Sequence, residues 1–271
     1  MSKPTLTRWT SEGVTLIGDA RRPGGVTLAF TERGGGVSTG AYAFLNLGDA
    51  CGDDPELVLE NRRRALVALG LGGLEDRLIS LKQVHGDRVL TIGEGALSLE
   101  EAREEAVEGA DGVVCTEPDV AVLLCSADCL LAILVAPAGG FAVVHSGWRG
   151  TISEIAGKAL DELCTRTGSA PEEVFCYLGP HIGVSDYEVS PELADRFRDA
   201  FGDEVIEGAR NLDLGACVRL TLERKGVPST YIVEGNEMNT SDTVRFFSYR
   251  AAGGVCGRIG ALAAMPGDRV F

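Results

Sequence analysis

The sequence predicts an α+β (mixed α/β) fold, one domain over residues 1–271 with mixed β-sheets and flanking helices. Short apolar runs of strand length alternate with helix-length amphipathic segments, yet some strands are joined directly by hairpin-type turns. The 271 residues are enough for one large core, and no repeat, heptad run or low-complexity linker divides them. A third sign is the glycine count of 36, which implies many turns and close backbone approaches.

Residues 26–47 are expected to form a strand, a glycine turn at Arg33-Gly34-Gly35-Gly36, and a second extended segment ending at Leu47-Gly48. Asp54 caps a helix that Pro55 opens and that runs to about Leu69. Leu78 to Gln83 is a strand delivering His85 at its end. The acidic stretch Leu97 to Val107 is a surface helix, and residues 112–115 are a short strand. Val120 to Leu124 and Leu130 to Ala136 are buried strands, and the turn Pro137-Ala138-Gly139-Gly140 leads into Phe141–His145. A helix from about Thr151 to Thr165 follows, then a strand at Val174–Leu178 and helices near 191–201 and 212–225. Tyr231–Val233 and Val244–Ser248 complete the expected strands.

Composition excludes several roles. A net charge of −15 disfavours nucleic acid, because a phosphate backbone would be repelled by most of the surface, though one small anion can still be held locally. The start, Met1-Ser2-Lys3-Pro4-Thr5-Leu6-Thr7-Arg8-Trp9, has no apolar secretory core. The longest apolar stretch, Val120 to Ala136, is short for a membrane span and is interrupted by Ser126 and Asp128. Eight cysteines without an export signal point to reduced thiols in the cytoplasm. Only Cys125 and Cys129 are closely spaced, and no CxxC pair suggests a structural zinc finger.

There are three histidines, His85, His145 and His181. If Leu130–Ala136 pairs with Phe141–His145, then Cys129 and His145 meet at the open end of the hairpin. Thiolate and imidazole are good zinc ligands, and His85 would complete a set of three that leaves a coordination position open, as catalytic sites do. Such a metal lowers the pKa of its water and polarises a carbonyl or ring nitrogen. Histidines and cysteines at strand ends also serve simply as packing residues, so spacing alone leaves both readings open.

The motifs add a resemblance. Leu81-Lys82-Gln83-Val84-His85-Gly86, Ala127-Asp128-Cys129-Leu130 and His145-Ser146-Gly147-Trp148-Arg149-Gly150 resemble the three signatures of the laccase-domain, YfiH-like family. Its members are also called peptidoglycan editing factors, and are now regarded as purine nucleoside phosphorylases. Gly36–Gly40, Leu45–Gly48, Glu60-Asn61-Arg62, Leu178-Gly179-Pro180, Ile182-Gly183 and Phe246–Arg250 extend the match over most of the chain. The resemblance implies one Zn²⁺ per chain on His85, Cys129 and His145. It also implies phosphorolysis of adenosine, inosine, guanosine and methylthioadenosine to free base and pentose 1-phosphate, with some adenosine deamination at the same site. The partners would then be a purine nucleoside and phosphate, with neither nucleic acid nor membrane involved.

Asp128 is the candidate acid/base for deamination, since a carboxylate in that apolar run needs a reason; orienting a ligand is the equal alternative. Arg149, placed just before a helix expected at Thr151, is the first candidate for phosphate, with Arg62 and Arg250 behind it. Asn46 and Ser38 are candidates for sugar hydroxyls, although turn chemistry accounts for them equally well. His181 is expected to cap a turn. The segment Glu234–Thr240 lacks the cysteine that many relatives carry before FFSYR, and Val184–Tyr187 also departs from the pattern, which puts inherited substrate preference in doubt.

Two other chemistries compete. A metal-free cysteine hydrolase would use Cys129 as nucleophile and His145 as base, a thought encouraged by the fold's resemblance to cysteine-dependent deamidase toxins. It leaves His85 without a role. A copper-dependent polyphenol oxidase is disfavoured, because three histidines cannot supply a blue-copper site and a multinuclear cluster. A role in cell-wall editing would be a context rather than a mechanism.

Overall fold

The expected hairpin is the centre of the molecule. In this computed structural model, which describes residues 3–235 and 237–267, Leu130 pairs with Ser146 and Val135 with Phe141 in an antiparallel ladder. Met1 and Ser2 of the amino-terminal segment, and Asn236 of the segment lacking the family cysteine, lie outside the described residues.

In chain order the strands are β1 (Thr7–Ser11), β2 (Val14–Gly18), β3 (Thr27–Thr31), β4 (Leu78–Ser80), β5 (Val89–Ile92), β6 (Gly112–Cys115), β7 (Ala121–Ser126), β8 (Leu130–Val135), β9 (Phe141–Ser146), β10 (Phe175–Leu178), β11 (Ile206–Glu207), β12 (Asn211–Leu212), β13 (Ile232–Glu234) and β14 (Ile259–Ala264). The helices are α1 (Pro55–Ala68), α2 (Leu99–Ala106), α3 (Trp148–Ile152), α4 (Ile155–Thr167), α5 (Pro191–Phe201) and α6 (Leu214–Arg224). One six-stranded sheet has the order β1-β2-β3-β14-β7-β4 and the other β13-β10-β8-β9-β6-β5; both mix parallel and antiparallel pairs.

The two sheets face each other. Leu131, Ile133 and Val135 of β8 share a core with Leu28, Phe30, Val122 and Ala261 of the opposite sheet. The alternate residues Leu130, Ala132 and Leu134 pack outward onto Ile155, Leu160 and Leu163 of α4 and Val218 of α6. On the far side, Leu16, Ala29 and Leu123 pack onto Ala65 and Leu66 of α1. The result is four layers, helix–sheet–sheet–helix. Strands covered on both faces read as continuous apolar runs, which is why β7 and β8 show no alternation.

Local chemistry sets the ends. Asp54 accepts from the Glu56 N–H and Pro55 stands at the first helical position of α1. Ser98 and Glu101 form a reciprocal capping box at the start of the acidic helix α2. The β1–β2 hairpin turns at Glu12 (φ 49°) and Gly13 (φ 79°), both left-handed as a two-residue type I′ turn requires.

Some expectations are corrected. Val244–Ser248 is not a strand: Arg245 and Phe246 donate their N–H groups back to the Asp242 carbonyl, a turn geometry. The second segment of residues 26–47 is a loop rather than extended, because Arg33 folds it back by donating to the Ala43 carbonyl. The helix expected from Thr151 is two helices, beginning at Trp148 and broken at Ser153-Glu154, where Glu154 is left-handed (φ 55°). β4 ends at Ser80, and beyond it Gln83 pairs its side-chain amide with both backbone groups of Cys125 (2.7 and 2.8 Å), continuing the ladder by other means.

Candidate metal centre

Three chain segments converge at the end of the β8–β9 hairpin. Cys129 stands immediately before β8, His145 is the penultimate residue of β9, and His85 comes from the loop after β4. One donor atom from each of the three lies within 4.8 Å of the other two. The His85 and His145 rings meet edge to face at 4.9 Å between centroids. His145 is buried, Cys129 half-buried and His85 exposed, so the cluster opens to solvent on the His85 side.

The buried carboxylate of Asp111, at the entry to β6, holds two of these segments together. Its Oδ1 lies 2.8 Å from His145 Nδ1, which leaves Nε2 as that ring's donor toward the cluster. The same carboxylate accepts the backbone N–H groups of Val84 (3.2 Å), His85 (3.0 Å) and Gly86 (2.7 Å). A loop with His85 at φ 58° is strained, and these three bonds to one charged acceptor offset that strain. Asp111 was not among the residues the sequence singled out. The available signal was an acid directly ahead of the apolar strand Gly112–Cys115, where only a strand was expected.

Asp128 is also left-handed (φ 94°) and buried. One carboxylate oxygen accepts from Thr240 Oγ1 (2.6 Å) and the other from the Arg250 N–H (2.7 Å), while its carbonyl accepts from the Ile182 N–H (2.9 Å). It therefore ties three loops to the turn that carries Cys129. Gly147 supplies the space in which the donors meet: a Cβ there would lie 3.0 Å from both Cys129 Sγ and His85 Cδ2.

Charge at the cluster is coupled. Burial pushes the Cys129 thiol up, but the charge of His145 and hydrogen bonds from His145 and His85 outweigh it and bring it well below an ordinary thiol. Burial alone would lower His145, yet Cys129 and Asp111 hold it above an ordinary imidazole. Asp111 lies below the usual carboxylate range, its burial overcome by His145 and the backbone donors. A thiolate and two imidazoles suit a borderline-soft divalent ion such as zinc.

The three donors line a cavity of about 910 Å³. Ile182, Tyr187 and Leu214 give the cavity an apolar part of its lining, and Arg62, Arg250 and Arg258 a basic one. Of the residues expected from sequence, the structure brings Asp128, Arg62 and Arg250 to this cavity with the three donors. Arg149 is not among the cavity's lining residues: it is exposed within α3 and lies 4.5 Å over the Trp148 ring. Asn46 and Ser38 are not there either. Asn46 is fully buried, donating to Gly48 and Asp53 and accepting from the Gly48 and Arg258 N–H groups, while Ser38 bonds Asp53 and Asn61. His181 lies outside the cavity and bonds the Gly179 carbonyl through Nδ1 (2.9 Å). Sequence reasoning also missed Arg258, Tyr187 and Leu214, which come from distant segments and carry no spacing signal.

Comparison with known proteins follows the same lines. The family model described as multi-copper polyphenol oxidoreductase laccase matches residues 27–266. A protein of Deinococcus radiodurans named purine nucleoside phosphorylase is 36% identical over 262 residues, 95% of each chain. Adenosine deaminase RL5, from an unknown prokaryotic organism, is 35% identical over 244 residues, covering 86% of this chain and 92% of its own. The crystal structure of YlmD from Geobacillus stearothermophilus superposes with a TM-score of 0.82 at 33% identity, covering 94% of this chain and 97% of that one.

Proposed function

On the premise that the chain belongs to the multi-copper polyphenol oxidoreductase laccase (YfiH-like) family, we propose that it is a zinc-dependent purine nucleoside phosphorylase with adenosine deamination as a side activity. The observation that carries this is the convergence of His85, Cys129 and His145 on the wall of a cavity large enough for a nucleoside and a phosphate. The donor set fits the ion: one sulfur and two nitrogens, a carboxylate behind His145, and a glycine where a side chain would intrude. When bound, zinc would act as a Lewis acid on the purine and lower the pKa of water beside it.

The chain's own groups would do the rest. Ile182, Tyr187 and Leu214 offer apolar lining against which a purine ring could pack. In phosphorolysis an oxygen of phosphate bonds to the ribose anomeric carbon as the glycosidic bond breaks, and the departing base takes up a proton. The phosphate would be held by cavity arginines, for which Arg62, Arg250 and Arg258 are the candidates. Asp128, with both oxygens already accepting hydrogen bonds, orients the turn bearing Cys129 more readily than it moves a proton. Adenosine, inosine, guanosine and methylthioadenosine are the proposed substrates. The family's copper-oxidase name fits these residues poorly, since the His85–Cys129–His145 group falls short of a multicopper ligand set.

A second reading is favoured by one observation. Asp111, His145 and Cys129 stand in hydrogen-bonded sequence with the thiol pK lowered, the arrangement of a metal-free cysteine hydrolase. It gives His85 no function. Metal analysis and phosphate-dependent release of adenine from adenosine, run on one sample, separate the readings. One zinc per chain with phosphate-dependent release is expected. Cys129→Ala and His85→Ala should each lose both zinc and turnover while remaining folded. Full activity after exhaustive chelation, abolished by thiol alkylation, would replace the phosphorylase with the hydrolase.

A further inference from the structure

The cavity carries charge opposite to that of the molecule. The chain has a net charge of −15, yet Arg62, Lys82, Arg103, Arg250 and Arg258 line the cavity against Asp49 and Asp128. Those two carboxylates, the backbone N–H of Arg250 and two of the cations, Arg62 and Arg103, already have partners, although the Asp49 that faces Arg62 is itself exposed. Asp128 accepts from Thr240 and Arg250, Asp49 pairs with Arg62, and Arg103 pairs with Glu100 and donates to the Asp76 carbonyl.

Arg62 and Arg258 are held against the same short stretch of wall, Leu47-Gly48. Arg62 Nε donates to the Leu47 carbonyl (2.9 Å), while the Leu47 N–H donates to the Arg258 carbonyl (3.1 Å). The Arg258 side chain lies over Gly48, where a Cβ would stand 2.5 Å from Arg258 Cγ. The Cys125 thiol, which also lines the cavity, donates to the same Leu47 carbonyl (3.4 Å). Each guanidinium retains unused donors. Arg62 Nη2 is buried without a hydrogen bond; Asp49 Oδ2 is 3.0 Å away as an ion pair but off the line of its N–H bonds. Arg258 uses Nη1 on the carbonyls of Cys256 and Gly257, and among the described residues no carboxylate pairs with it.

We propose that Arg62 and Arg258 form an anion clamp about Leu47-Gly48 that binds the tetrahedral oxyanion cosubstrate, inorganic phosphate. The anion requirement follows from the two positioned cations with unused donors; its identity as phosphate rests on the phosphorylase reading. The clamp lies near Cys125, the penultimate residue of β7, and the turn after β7 leads to Cys129, where His85 and His145 also converge. A nucleoside spanning the cavity would therefore present its base to the donors and its anomeric carbon toward the clamp. Nothing in α3, where Arg149 lies, is needed.

Isothermal calorimetry with inorganic phosphate on the zinc-loaded protein tests the clamp, together with phosphate KM for adenosine phosphorolysis. Arg258→Gln and Arg62→Lys are compared with wild type, with zinc content and melting temperature measured on each. Arg258→Gln is expected to weaken phosphate binding about tenfold to a hundredfold, the effect of losing a charge-assisted pair. Arg62→Lys keeps the charge but loses the fork, and should weaken it less. Unchanged phosphate affinity in a folded, zinc-replete Arg258→Gln protein would overturn the clamp while leaving the phosphorylase intact. Phosphate binding lost in the variant, with no nucleoside turnover even in wild type, would uphold the clamp and remove the phosphorylase. A wild type that binds no phosphate would remove both.

Discussion

At the scale of single residues, Asp111 orders the centre. Its carboxylate is fully buried and serves an imidazole and three backbone donors at once, so His145 and the His85 loop cannot move independently. Removing such a partner of a ligating histidine costs about 10–100-fold in metal affinity. Asp111→Asn is the informative variant. Its remaining oxygen can still face His145, but the new amide N–H₂ would oppose the Val84 and Gly86 N–H groups, donor against donor. Chelator competition should show zinc affinity reduced by at least tenfold, with a lower melting temperature besides. Wild-type affinity in this variant would mean that the donors are positioned by the hairpin alone.

At the scale of elements, the centre was legible where one element supplied it. The β8–β9 hairpin follows from two apolar runs around Pro137–Gly140, and it places Cys129 and His145 at one end without any tertiary knowledge. β14 was not legible: Ile-Gly-Ala-Leu-Ala-Ala has weak strand propensity and is a strand because β3 and β7 sandwich it. Asp111 and Arg258 escaped notice for a related reason, since the contacts that place them reach far along the chain: Asp111 to Gly86, 25 positions away, and Arg258 to Asn46, 212 away. The break between α3 and α4 has the same tertiary origin. Gly150 of α3 packs onto the His85 loop, where a Cβ would stand 2.8 Å from the Gly86 carbonyl oxygen, and α4 must then turn to lie on β9 and β6. Gly150→Ala should force that carbonyl aside, costing about 1–3 kcal/mol as overpacking does. Denaturant unfolding and zinc titration should both register it. A loss of stability with unchanged zinc affinity would show that α3 does not help to place His85.

At the scale of the whole molecule, two buried carboxylates bind the layers and make stability depend on acid. Asp19, just past β2, accepts from Thr5, Arg21 and, across the sandwich, the Tyr177 hydroxyl of β10. Glu32 holds Arg8 of β1 and Arg245, whose turn leads to the cavity residues Tyr249 and Arg250. Burial raises both carboxylates, but their hydrogen-bonded arginines overcome it, so each titrates below its unfolded value. A depressed folded pKa contributes stability that is fully present above the unfolded value and is lost as pH falls from there through the folded one. Melting temperature should therefore hold from neutrality to about pH 5 and fall steeply below it. Relief of the −15 net charge opposes this at first, which flattens the upper part of the curve without moving the descent. Glu32→Gln has no charge to lose there. It should be less stable than wild type at pH 7, and the two melting curves should converge as pH drops below the ordinary carboxylate range and through the lowered pKa of Glu32. Parallel curves over that range would mean that the Arg8–Glu32–Arg245 cluster adds nothing to the acid response, and that Asp19 and the remaining carboxylates carry all of it.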